Sequence, residues 1–269
     1  MILLYLLVPA AYLVAALLEW GRLAPGKDRS PERSTQGARW LAALALAGHA
    51  VLVDAAVVMP DGFDVSFANM LSAVAGLTAL FAWLGTLART LPGILAVVLP
   101  VAAVAAPLPA LFPNPHQVSF PGEPFALLHI AVALTAFSLF IVAALQAVVL
   151  LGLERRLHRG LPEPAGGMPP LLTLERLLFR LVDIGFVLLT LTLVSGALFS
   201  EELFGKPLRL THKVVFSILG WVVFAALVFG RYRYGWRGKS ALTWVLAGSG
   251  LLLLAYVGSK FVLEVLLGR

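Results

Sequence analysis

The side chains that could do chemistry here are five histidines, and cysteine contributes nothing because the chain has none. That absence excludes disulfides, zinc–thiolate centres, thiolate-ligated haem and a CxxCH attachment site. Any metal would rest on His, Met, Tyr or carboxylates. Depth in the apolar runs sorts the histidines. His49 follows Arg39 by ten residues, about 15 Å at the helical rise and near the middle of a ~30 Å hydrocarbon core. His129 lies five residues into one apolar run and His212 opens another, so both fall toward the same membrane boundary. His116 sits in a Pro-rich loop and His158 among arginines.

Two neutral imidazoles converging from different helices can ligate haem iron, with ring nitrogens about 4 Å apart. His129 and His212 have the matching depth, and His49 is a deeper candidate ligand. Simpler roles stand beside these. His49 could be a buried ring hydrogen-bonded to a neighbouring span, since the small residues Ala42, Ala45 and Gly48 allow close approach. His129 and His212 could be interfacial rings wetted by headgroups.

The elements that must position these side chains are membrane helices. Of the 269 residues, 60% are hydrophobic and 13% charged, with mean hydropathy +0.94. The fold class is an all-α polytopic membrane protein, its partner the lipid bilayer. About eight spans are expected, at 2–19, 39–58, 66–88, 92–112, 124–152, 180–199, 211–230 and 241–266. Residues 2–18 lack a basic leader and are expected to be a retained first span. Fifteen of the 20 basic residues fall on one side, all but Lys206, Arg209, Lys213, Lys260 and Arg269. The positive-inside rule makes that side cytoplasmic and puts both termini outside. The net charge of +6 is thereby a topology signal, with no nucleic acid implied.

Pro100, Pro107 and Pro109 predict a bent or broken fourth span. Pro162, Pro164, Gly166, Gly167, Pro169 and Pro170 break the chain before Leu171–Arg180, whose amphipathic pattern predicts an inner-surface helix ahead of span six. Asp54, Asn69, Gln146, Asp183, Lys260 and Glu264 are polar groups within spans, mostly explained by snorkelling or local pairing. Trp20, Trp40, Trp83, Trp236 and Trp244 map to the inner half, with Trp221 near the centre. Gly166-Gly167 precedes prolines rather than a phosphate-binding helix, and no hydrolase, kinase or redox motif is present, so no enzyme is expected.

A set of ordered segments carries a resemblance. Leu128-His129, Ala136-Phe137-Ser138-Leu139, Glu154-Arg155-Arg156-Leu157, Leu174-Glu175-Arg176-Leu177 and Gly185–Leu191 are followed by Ser195-Gly196-Ala197 and His212-Lys213. Gly235-Trp236-Arg237-Gly238-Lys239 and Ala255-Tyr256-Val257-Gly258 complete it. This order resembles the cytochrome c assembly protein superfamily, in its YpjD/HemX-like branch, over roughly 125–267 of a single membrane domain. Spans within 1–112 match it only in being hydrophobic. In CcsA- and CcmC-like members the resemblance implies haem held between two outer histidines beneath a tryptophan-rich segment. The corresponding hairpin here, Ser200–Lys213, contains no tryptophan.

The resemblance implies a non-enzymatic, haem-handling or cytochrome c assembly-related protein of the bacterial inner membrane. His129 and His212 are then the candidate iron ligands, and Lys206, Arg209 and Lys213 the groups that could pair with propionates. Two other readings stay open. One is a small-solute or divalent-cation transporter, suggested by the bent fourth span and by His49 with Asp54. The other is a scaffold that docks a tetrapyrrole-synthesis enzyme or cytochrome c maturation protein on the Arg-rich loops.

Overall fold

Runs of Leu, Val and Ala with charges only at their ends satisfy every backbone hydrogen bond within one helix, the arrangement a bilayer demands. The computed structural model describes residues 1–23, 31–59, 62–87, 93–113, 117–118, 124–159, 170–198 and 211–258. Among them, seven helices are long and apolar enough to cross a membrane, and a shorter apolar stretch spans Leu95–Leu111. The protein is an all-α polytopic membrane protein, and its chain divides into two compact units. One comprises Met1–Ser119 with Leu161–Pro170, the other Phe120–Gly160 with Leu171–Arg269.

The first unit holds α1 (Ile2–Leu23), α2 (Pro31–Val57), α3 (Phe67–Leu87), α4 (Leu95–Ala105) and α5 (Leu108–Leu111). The fourth apolar stretch breaks where the prolines predict. α4 stops at Ala105, and Pro107 opens α5 because it has no N–H to continue the ladder. On α2 the buried positions Ala38, Ala42, Ala45, His49 and Leu52 recur at helical spacing and form its inward stripe. A Cβ on Gly48 would stand 2.7 Å from Val8 Cγ2, so glycine there permits the close approach of α1. At the Arg39 end, Trp83 Nε1 donates to the Arg39 carbonyl and the Arg39 guanidinium donates to the Thr86 carbonyl, each at 3.0 Å.

At the other end of α2 lies a feature no periodicity announced. β1 (Val58–Met59), β2 (Gly62–Asp64) and β3 (Gln117–Val118) form an antiparallel sheet in that order. Strands of two or three residues are too short for an alternation to register. Asn69 fastens the sheet to the helices by donating to the carbonyls of Ala56 and Asp64 at 2.9 and 3.1 Å.

The second unit contains α6 (Pro124–His158), α7 (Leu171–Leu198), α8 (His212–Tyr234) and α9 (Gly238–Leu253), the last widening into a π-turn over Leu254–Gly258. The surface helix expected at Leu171–Arg180 is instead the first part of the continuous α7. Leu174, Glu175, Leu178 and Phe179 are buried there, and Gln146 Nε2 donates to the Leu174 carbonyl at 2.8 Å. The apolar face is covered by protein, which removes the reason for it to lie on the membrane surface. Mid-bundle, the Phe140 and Phe224 rings stack 4.0 Å apart. Gly185 and Gly248 leave room for them, since a Cβ would come within 3.0 Å of Phe140 or 2.7 Å of Phe224.

Candidate functional site

The polar segments of the second unit gather at two ends. At one, His129 on α6 faces α7, with Nδ1 2.7 Å from Ser195 Oγ. Ser195 in turn donates to the Thr192 carbonyl at 3.2 Å, the usual recourse of a serine inside an apolar helix. Gly196 follows, and a Cβ there would stand 3.3 Å from His129 Cε1, so the ring is seated closely against α7. Thr211 caps α8, accepting from the Val214 N–H at 3.4 Å, and thereby presents His212 and Lys213 in its first turn. Both are exposed. The Lys213 ammonium lies 5.5 Å from the centroid of Tyr256 in the π-turn and within electrostatic reach of His129. Tyr256 packs against Phe137 of α6 at 5.3 Å. π-turns of this kind are frequent at functional positions.

His49 belongs to the first unit, fully buried. Tyr12 Oη lies 3.1 Å from its Nδ1 and Ser72 Oγ 2.9 Å from its Nε2. Both ring nitrogens are occupied by groups on two other helices, so ligation through either would require breaking a hydrogen bond. Asp54, further along α2, is exposed. Among the described residues no three His, Asp or Glu side chains come together at metal distance. Lys206, Arg209 and His116 lie outside the described residues.

The opposite end of the second unit is a structural clamp. Gly230 and Arg231 accept the N–H groups of Trp236 and Gly235, and Gly235 takes the left-handed conformation (φ +69°) that this helix ending favours. The chain turns at once into α9, whose Gly238 N–H donates to Glu175 Oε1 at 3.2 Å. Arg231 reaches the same oxygen at 3.5 Å, donates to the Trp236 carbonyl at 3.0 Å and lies over the Phe179 ring at 4.1 Å.

The segments that make these two ends are separated widely in sequence and fall within one match to a known family. The profile of the cytochrome c assembly protein family matches residues 39–267. This chain belongs to that family. The match takes in α2, α3 and α4 as well as the second unit, so the family pattern extends ahead of 125. The inner membrane protein YpjD of Escherichia coli strain K12 is 31% identical over 228 residues, covering 84% of this chain and 86% of the relative. An Azospirillum brasilense protein described only by its mass and genomic neighbourhood is 35% identical over 142 residues, 52% of each chain. The cytochrome c biogenesis protein CcsA of Thermosynechococcus vestitus is 31% identical over 86 residues, 32% of this chain and 27% of that protein. No solved structure matches.

The geometry divides the segments that carry the resemblance by task. Leu174–Leu177 and Gly235–Lys239 build the clamp, while Leu128-His129, Ser195–Ala197, His212-Lys213 and Ala255–Gly258 contribute to the His129 end. Ser195 and Tyr256 stand in segments visible in the sequence, but residue type alone does not mark either as a site residue. A hydroxyl within the apolar run of α7 was the available signal for Ser195. Nothing short of the fold could point Tyr256 at Lys213.

Proposed function

We propose that this protein handles haem as cargo in cytochrome c assembly or a related tetrapyrrole pathway, at the bacterial inner membrane and without catalysing a reaction. The observation that carries the reading is the gathering, at one end of the second unit, of residues from four segments that carry the sequence resemblance, with an imidazole and an ammonium among them. The donor set fits the cargo. A neutral imidazole at His129 can ligate iron, His212 at the start of α8 is the second candidate, and Lys213 can pair with a propionate. Tyr256, half-buried against Phe137, supplies apolar surface for a porphyrin. Lys206 and Arg209 remain proposed as further propionate partners, and His49 as a deeper ligand at the cost of its bonds to Tyr12 or Ser72.

Names of relatives lend support of the same kind, since CcsA is a cytochrome c biogenesis protein and YpjD an inner membrane protein. A maturation protein or tetrapyrrole enzyme would be the partner that delivers or receives the cargo. The transporter alternative has less behind it, because His49 is enclosed and Asp54 faces away from the bundle.

The test is haemin titration of the purified protein in detergent. A bis-histidine Soret and alpha-band spectrum is expected in wild type and should disappear in His129→Ala with His212→Ala. Survival of that spectrum in the double variant would remove both residues as ligands.

A further inference from the structure

At the clamp end of the second unit, α7 and α8 also meet on their outer surfaces. Arg176, Arg180, Asp183 and Val187 recur at three- and four-residue spacing and so share one face of α7, with Ile184 beside them. The two arginines, Ile184 and Val187 are exposed, and Asp183 is half-buried. On α8, Phe229, Tyr232 and Arg233 are exposed. The two helices are joined on this side where the Tyr232 hydroxyl donates to Asp183 Oδ2 at 2.9 Å. From that bond the surface runs two ways. Toward the middle of the spans it is apolar, through Ile184, Val187 and Phe229. Toward their ends it is cationic, through Arg180 and Arg176 on α7 and Arg233 on α8.

The local carboxylates do not neutralise these arginines. Over the facing stretches 175–183 and 231–233, four arginines stand against two carboxylates. Glu175 is taken by Arg231. Asp183 follows Arg180 by three residues, close enough on a helix to pair with it, yet its hydrogen bond goes to Tyr232 on the other helix. Among the described residues Arg180 and Arg233 have no ion pair. Arg176 donates to the Leu172 carbonyl of its own helix, and Arg233 lies 5.7 Å from the centroid of its neighbour Tyr234. A positive-inside distribution requires basic residues on one side of the membrane. It does not require an apolar strip aligned behind them on two joined helices.

We propose that this face of α7 and α8 binds an anionic phospholipid, its phosphate held by Arg180 and Arg233 and its acyl chains laid along Ile184, Val187 and Phe229. The guanidinium fork matches the oxygens of a phosphate, and basic sites between transmembrane helices at this boundary take such headgroups. Tyr232 contributes by holding Asp183 away from Arg180, which leaves that guanidinium for an external anion. The apolar strip favours a lipid over free phosphate or an acidic soluble segment, because neither of those has chains to cover it.

Native mass spectrometry of the full chain, released from detergent micelles, compares phosphatidylglycerol with phosphatidylcholine of identical acyl chains. Wild type should bind phosphatidylglycerol about 10-fold or more tightly than phosphatidylcholine. Arg180→Gln with Arg233→Gln should remove that preference, while Arg180→Lys with Arg233→Lys, which keeps the charge, should retain most of it. Tyr232→Phe, by releasing Asp183 to Arg180, should weaken it about two- to fivefold. Arg155→Gln with Arg156→Gln removes the same charge from the end of α6 and should leave it unchanged. Equal binding of the two lipids by wild type overturns the site. So does an equal loss in the α6 variant, which would make the attraction a general property of the basic surface. Displacement of phosphatidylglycerol by millimolar inorganic phosphate would assign the arginines to a free anion and overturn the lipid. Wild-type binding in Tyr232→Phe would remove the role given to that bond. Melting temperatures without lipid separate loss of the site from loss of the fold. Should the glutamine pair melt early, the lysine pair and Tyr232→Phe carry the test.

Discussion

Glu175 on α7 and Arg231 on α8 meet at 3.5 Å, and the carboxylate oxygen between them also accepts the Gly238 N–H that begins α9. One buried oxygen thus joins three helices. Its desolvation is offset because Glu175 has two donors, while Arg231 has the Trp236 carbonyl and the Phe179 ring besides.

Glu175→Ala should therefore destabilise the protein by about 2–3 kcal/mol, since it strands a partly buried cation and an N-terminal helix N–H together. Glu175→Gln should cost less, its amide oxygen still able to accept from Gly238. Thermal unfolding in detergent measures both. Equal melting of wild type and Glu175→Ala would show that the clamp contributes nothing.

Tyr12→Phe and Ser72→Ala each leave one nitrogen of a fully buried His49 without its partner, at a cost of about 1–3 kcal/mol. If His129 and His212 alone ligate the iron, the haemin titrations of these variants should nevertheless match wild type. A haem spectrum altered by either change would bring His49 into the ligand set and revise the assignment to His129 and His212.

Two glycines on the same helix should behave oppositely. Gly248→Val drives a side chain into Phe224, where a Cβ alone would stand at 2.7 Å, and should cost about 1–3 kcal/mol of packing. Gly250 has nothing within 4 Å of its missing Cβ, so Gly250→Ala should be neutral or raise stability by up to about 1 kcal/mol. Reversed melting shifts would contradict the packing of α8 on α9.

Reporter fusions test the orientation that the arginine distribution implies. Alkaline phosphatase joined at Glu201 should be active and at Pro164 inactive, because the first loop is expected outside and the second among the cytoplasmic arginines. The opposite result would invert the topology without altering the helices.

Helix number, the broken fourth span and the helix-starting place of His212 were all legible in the sequence. Each depends on local chemistry: apolar length, the missing N–H of proline, and a threonine able to cap. The candidate site was legible only by residue type. His129 and His212 stood out because imidazoles are rare in apolar runs, whereas the serine that touches His129 was 66 residues away and looked like any other hydroxyl in a span. Leu171–Arg180 misled for a related reason. An amphipathic pattern states that one face needs covering but does not say whether lipid headgroups or α6 will cover it.

By itself, then, the sequence determined a polytopic helical membrane protein, its family pattern and the side chains able to bind a metal, because hydropathy and backbone chemistry act within a few turns. Only the tertiary structure decided which of those side chains have partners. It enclosed His49 between Tyr12 and Ser72, set His129 against Ser195, and brought Lys213 over Tyr256. Those contacts depend on how whole helices pack, through glycines such as Gly196 beside His129 and ring stacks such as Phe140 on Phe224, and no local pattern contains that information.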